Sequence, residues 1–134
     1  MDTNGHESLL RDVNLPHAAL VYAIVGSAIE VLRGIGHGLH EKPYENALVV
    51  EFGHRGLALE QQRSFEISYK GVRVGQFIPD LLVGNAVVVD AKVIERITNV
   101  ERGQMLNYLR TTGMKVGVIL NFHKPKLEWE RIVL

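Results

Sequence analysis

The sequence predicts an α/β fold, a mixed central sheet flanked by helices, and three observations carry that reading. Apolar residues recur at helical spacing in the N-terminal part of the chain. The period then changes to the alternation of strands. The runs Leu81-Leu82-Val83, Val87-Val88-Val89 and Val116 to Leu120 are apolar on both faces, so they belong in the middle of a sheet covered on both sides.

The elements follow in order. Residues 1–14 are polar and acidic and read as a loose lead-in, which leaves 15–134 as one domain. Asn14 can cap a first helix with Pro16 in its first turn. Leu20, Ile24, Ile29 and Leu32, with Val21, Val25 and Ala28, make its apolar stripe, and the glycines from Gly34 to Gly38 end it. A second helix starts near Glu41, with Pro43 tolerated in its first turn. Tyr44, Ala47, Leu48 and Phe52 follow at helical spacing, and Gly56 marks the stop. Phe65, Ile67 and Tyr69 alternate with polar residues, and Lys70-Gly71 reads as a hairpin turn. Strands are expected from Val72 to Val83 and from Ala86 to Val93 around Gly84-Asn85, giving a three-strand meander. A helix from about Val100 to Thr112 turns Met105, Leu106 and Leu109 inward and stops at Gly113. Val116 to Leu120 and an edge strand from Leu127 to Leu134 complete the order.

Composition narrows the function. The 134 residues are 46% hydrophobic and 22% charged, an ordinary globular balance. The absence of cysteine excludes disulfides and thiolate metal sites and suits a cytoplasmic location. No run approaches the roughly 18 consecutive apolar residues of a membrane span, and the polar start does not look like a signal peptide. No membrane partner is expected. Fifteen basic and fifteen acidic side chains cancel, unlike a strongly basic nucleic-acid-binding module. A metal-dependent nuclease remains compatible, because bound cations offset its carboxylates.

The informative anomaly is charge among apolar strands. Asp80 stands between Pro79 and Leu81-Leu82-Val83, and Asp90 and Lys92 end the run Val87-Val88-Val89. Unpaired ionised groups buried there would cost several kcal/mol, roughly, so they need a compensating partner. A hard divalent cation, magnesium or manganese, suits two carboxylates and a backbone carbonyl such as that of Ala91. Lys92 could orient a water or stabilise developing charge. Asp90 and Lys92 share a strand face. Asp80 reaches that face opposite Asp90 if the hairpin loop is Gly84-Asn85-Ala86, or if a bulge near Pro79 repairs the register. A loop of Gly84-Asn85 alone would put Asp80 on the other face. The competing reading is a structural Asp–Lys pair at a strand end. Glu41 and Glu45 lie one helical turn apart, and a cation could relieve their repulsion. Gln104 and Tyr108 are likewise one turn apart and could face a phosphate, with Gln62 a lesser candidate. His37 and His40 read as loop residues, because nothing completes a histidine metal site.

These residues resemble the PD-(D/E)XK nuclease superfamily. Its signature stands as Pro79-Asp80 followed by Asp90-Ala91-Lys92, with the shorter aspartate where glutamate is more usual. Gln104 through Tyr108 is similar to the Q-x-x-x-Y element of its RecB-like branch. Within the superfamily the chain resembles the small GxxExxY family. Gly38-Leu39-His40-Glu41-Lys42-Pro43-Tyr44, Tyr69-Lys70-Gly71, Asn121-Phe122 and Arg131-Ile132-Val133 carry that likeness, which runs from about Val13 to Leu134. The resemblance implies a restriction-endonuclease-like α-β-β-β-α-β core and metal-dependent phosphodiester hydrolysis, with DNA the first substrate expected and RNA the second. It implies Asp80 and Asp90 as metal ligands, Lys92 as the catalytic lysine, Glu41 or Glu45 as a further acidic ligand, and Gln104 and Tyr108 as supporting residues. The alternative is a non-catalytic module that binds nucleic acid or a protein. A homodimer would enlarge its nucleic-acid surface.

Overall fold

The computed structural model describes residues 15–134, so the expected lead-in and the Asn14 cap lie outside the described residues. Helix α1 (Ala18–Ile35) begins after His17, whose φ of 55 is left-handed. Pro16 therefore sits in the turn ahead of the helix rather than in its first turn. A proline has no N–H to contribute, and its fixed φ suits that turn. Val21, Ile24, Val25, Ala28, Ile29 and Leu32 are buried, the stripe the spacing predicts. By length and composition α1 is apolar enough to cross a membrane, which the run-length rule did not anticipate. Its apolarity has a simpler use here, since 56% of the segment is buried inside the fold against α2 (Glu41–His54) and the sheet. In α2, Pro43 occupies the first turn, where no intrahelical N–H bond is required. Tyr44, Leu48 and Phe52 recur every fourth residue and form its buried edge.

The strands depart from a simple meander. Among the described residues there are seven: β1 (Leu59–Gln61), β2 (Phe65–Tyr69), β3 (Val72–Phe77), β4 (Leu81–Val83), β5 (Val87–Lys92), β6 (Val116–Asn121) and β7 (Glu128–Val133). The run from Val72 to Val83, expected as one strand, breaks at Ile78-Pro79-Asp80. Pro79 cannot donate to a ladder, and the break lets the chain change sheets. Strands β2 and β3 form their own two-stranded sheet, and β4 enters a five-stranded sheet of order β1-β4-β5-β6-β7. β1 was not expected, because its short stretch shows no apolar alternation.

In the central sheet β5 and β6 are parallel and the other pairs antiparallel. A parallel neighbour needs a long crossover, which helix α3 (Asn99–Thr112) provides. Thr98 and Glu101 form a capping box at its start, and Gly113, with φ 75, ends it. The apolar core lies on both sides of the sheet. Leu81, Val83, Val87, Val89, Ala91, Val118 and Leu120 meet α1 and α2. Leu82, Val88 and Ile119 meet Met105 and Leu109 of α3.

Gly117 sets how closely α3 approaches. A Cβ there would collide with the Met105 side chain, meeting its Cγ at 2.7 Å. Met105 is itself buried, so it has little room to yield. Gly117→Ala is expected to destabilise the fold by about 1–3 kcal/mol. A urea midpoint unchanged from wild type would show that Met105 repacks freely.

Candidate metal centre

The hairpin between β4 and β5 decides where the acids meet. Gly84 and Asn85 both have positive φ, 61 and 50, and the Ala86 N–H donates to the Val83 carbonyl at 3.1 Å. Val83 pairs with Val87, Leu82 with Val88 and Leu81 with Val89. This is the register of the three-residue loop, and one further step along it sets Asp80 opposite Asp90. Asp80 itself lies just ahead of β4, in the bend that follows Pro79, rather than inside the strand.

The two aspartates are cross-linked through the backbone. An Asp80 carboxylate oxygen accepts the Ala91 N–H at 3.0 Å, and the Asp90 carboxylate accepts a backbone hydrogen bond from Asp80. Lys92, two residues beyond Asp90 on the same face, brings its Nζ to 3.8 Å of that carboxylate. Strand alternation puts Asp90 and Lys92 on the side of Val88, which faces α3.

The electrostatics are those of crowded acids. Burial pushes the Asp90 carboxyl up to about 6, and the Asp80 charge adds to this against the pull of Lys92. Burial likewise raises Asp80, with Glu45 and Glu41 adding repulsion while the Ala91 amide and Lys92 oppose it. Tyr108 of α3 stacks on Phe77, ring centroids 3.7 Å apart. Burial, then the charges of Asp90 and Asp80, push its phenol up to about 12, so it stays a donor throughout the neutral range. Gln104, one turn earlier on α3, is exposed.

Glu45 and Glu41 sit beside this pair in different ways. Glu45 is buried, yet hydrogen bonds from Gln61 at 2.6 Å and Gln62 at 2.9 Å and the Lys42 ammonium at 3.1 Å meet one of its oxygens. Burial alone would raise its carboxyl, but those donors outweigh it and hold it below the ordinary value. Glu41 is exposed and accepts the Val93 N–H at 3.4 Å. Among the described residues no three carboxylates or imidazoles stand together as a ready metal set. Asp80 and Asp90 converge; Glu41 and Glu45 flank them through their charges without joining a three-acid set. His37 and His40 are exposed at the loop before α2, as expected.

Two neighbours were given no site role from the sequence. Gln61 is one, and its only signal was adjacency to Gln62. Gln62 does more than a lesser candidate should: its N–H also donates to the Asp80 carbonyl at 3.3 Å. Asn121 is the other, a buried polar residue ending β6. Its amide accepts the Ile94 N–H at 3.1 Å and donates to the Ile94 carbonyl and to Glu128, both at 2.8 Å, which fixes the chain leaving β5.

The donor set suits a hard cation. Magnesium is commonly held by one or two carboxylates and keeps several waters, so two adjacent aspartates satisfy it without a third acid. Their mutual repulsion, only partly offset by Lys92, is what a divalent ion would relieve. A profile of the PD-(D/E)XK nuclease superfamily matches residues 18–132. The chain belongs to that superfamily.

The PD-(D/E)XK superfamily consists generally of nucleases, which generally use divalent metals. The architecture agrees: a mostly antiparallel central sheet flanked by helices is restriction-endonuclease-like. Among solved structures, the crystal structure of SSO0001 is similar, with a TM-score of 0.54 and 16% sequence identity. The likeness covers 96% of this chain but 59% of that one, and at this identity it speaks for the fold alone. No curated protein matches the chain.

Proposed function

We propose that this chain is a PD-(D/E)XK nuclease of the GxxExxY type that hydrolyses phosphodiester bonds, in DNA by preference. The observation that carries this reading is the pairing of Asp80 with Asp90 across the hairpin, both carboxyls raised, with Lys92 beside Asp90. Asp80, Asp90 and the Ala91 carbonyl would hold magnesium or manganese, with Glu45 or Glu41 as the further acid. The ion, when bound, lowers the pKa of a water and offsets charge on the phosphoryl oxygens. Lys92 would orient the attacking water or stabilise the pentacovalent charge. The Tyr108 phenol, protonated at neutral pH, donates to a phosphate oxygen, and Gln104 can reach the same group from the next turn. Gln61, Gln62 and Lys42 keep Glu45 ionised.

The test is twofold. Titrating manganese should release or absorb heat with the wild-type protein and not with Asp80→Ala; no binding by the wild type would remove the metal centre. Incubation with single- and double-stranded DNA and RNA in magnesium should then show cleavage. Lys92→Met should lower it by roughly 10²–10³-fold while manganese still binds. A neutral net charge favours one second reading, a non-catalytic nucleic-acid or protein-binding module. Manganese binding without cleavage of any substrate would decide for it.

A further inference from the structure

Beyond the ends of β5 and β6, at the start of β7, lies a cleft of about 400 Å³. Arg96 comes from the loop after β5, Lys124 and Lys126 from the loop between β6 and β7, and Trp129 from β7 itself. Glu95 and Glu128 complete its polar lining. None of these residues belongs to the acid centre.

The cleft is held in place by its own hydrogen bonds. Asn121 grips Ile94 through both backbone groups, which fixes the stem of the loop carrying Glu95 and Arg96. Glu128 spends one carboxylate oxygen on the Ile97 N–H at 3.0 Å and the Asn121 amide at 2.8 Å. Arg96 and Lys124, with Lys126 beside them, face Glu95 and an acid that already holds two donors of its own chain. Trp129 is half-buried, packed on one side against the main core, while it lines the cleft with the rest. A flat ring held rigidly next to cations is what an unstacked base and its phosphate require.

Its position ties it to the acid centre. Trp129, opposite Leu120, turns its ring to the α1 and α2 side of the sheet, while Lys92 pairs with Asn121 and Asn121 with Glu128, so the Glu128 edge of the cleft lies two strands across from Lys92. At about 4.8 Å per strand that is about 10 Å.

We propose that this cleft is a binding subsite for single-stranded nucleic acid, with one base stacked on Trp129 and the adjoining phosphates held by Arg96, Lys124 and Lys126. A duplex would not fit it, because its base faces are already covered by their neighbours. The inference rests on the nucleic-acid substrate proposed above and specifies its form: a strand with an unpaired stretch.

The chain has one tryptophan, so intrinsic fluorescence reports this cleft directly. A short oligothymidylate, titrated in EDTA so that no cutting occurs, should quench the Trp129 emission, and a blunt duplex of the same length should not. Arg96→Ala combined with Lys124→Ala should weaken binding by tenfold or more. It should also flatten the salt dependence of log K by about 1.4, at roughly 0.7 per lost phosphate contact. Both changes are on the surface and should leave the fold intact. With a labelled oligonucleotide read by anisotropy, Trp129→Phe should keep most of the affinity and Trp129→Ala lose roughly tenfold. Absence of quenching, equal quenching by duplex, or an unchanged salt slope in the double variant would each overturn the proposal. Asp90→Asn separates the two readings. It should bind the oligonucleotide at least as well as wild type while cutting nothing. If no substrate is cut by the wild type but quenching is seen, the cleft stands and the nuclease reading falls. If cutting is seen without quenching, the cleft alone falls.

Discussion

Asp90→Asn should abolish cleavage, by roughly 10³-fold or more, and at the same time make the metal-free protein more stable at pH 8. The two effects have one cause. Asp90 is 7% exposed, faces the Asp80 charge, and has Lys92 at 3.8 Å as its nearby cation. Its carboxyl rises from an ordinary 3.8 to about 6. The folded state therefore binds this proton more tightly than the unfolded chain does. The resulting stability is fully present below pH 4 and is lost as pH rises through about 6. A shift of about 2 units corresponds to on the order of 2–3 kcal/mol, nearly all of it gone by pH 8. Asparagine keeps the shape and the acceptor for the Asp80 amide but cannot ionise. In EDTA, urea melts should show the variant ahead of wild type at pH 8, with the gap closing at pH 4. A gap equal at both pH values would mean that the ionised carboxylate is not what strains the fold. Loss of cleavage with no gain in stability would mean that Asp90 is well compensated by the protein itself, which removes the reason for a metal there.

The same residues show how far the sequence could be read. The pairing of Asp80 with Asp90 was legible as a conditional: it required an odd hairpin loop or a bulge near Pro79, and the loop has the odd register. The helix stripes and doubly apolar strands were legible because burial imposes its own period on a chain. What pairs with what was less so. Phe65, Ile67 and Tyr69 alternate as a strand should, but alternation does not name the neighbour. Among the described residues that hairpin pairs only with itself, and Ile67, Tyr69, Val72 and Val74 are exposed. Pro79 carried the signal for the break between β3 and β4, yet the apolar residues around it read as one strand. The state of Glu45 was not legible at all. Its donors Gln61 and Gln62 follow it by sixteen and seventeen positions, and β1, which ends at Gln61 and leads into Gln62, has no pattern of its own.

Tyr44 explains why the segment from Gly36 to Tyr44 behaves as a unit, and removing it should be the most damaging change outside the acid centre. Its ring is fully buried and stacks on Phe122, centroids 4.4 Å apart and planes within 5°. Its hydroxyl donates to the Gly36 carbonyl at 2.7 Å and accepts the Leu39 N–H at 3.1 Å. The turn between α1 and α2 is thus tied to the residue that starts the core of α2. Phe122 extends the link, since its N–H donates to the Lys92 carbonyl at 2.9 Å and its carbonyl accepts the Gly38 N–H at 3.0 Å. Tyr44→Ala should cost about 3–5 kcal/mol, the range for emptying a buried aromatic site. Tyr44→Phe keeps the stack and loses the hydroxyl's partners, about 1–2 kcal/mol. Urea denaturation of the pair separates the two contributions, and equal losses would assign the whole effect to the hydroxyl. Cleavage provides a second measure. The Tyr44 hydroxyl meets Gly36 and Leu39 and not Lys92, so Tyr44→Phe should keep activity within a few-fold at temperatures where it is folded. A Tyr44→Phe protein that is folded yet inactive would place the hydroxyl in the chemistry, whereas the geometry makes it a brace for the strand that carries Lys92.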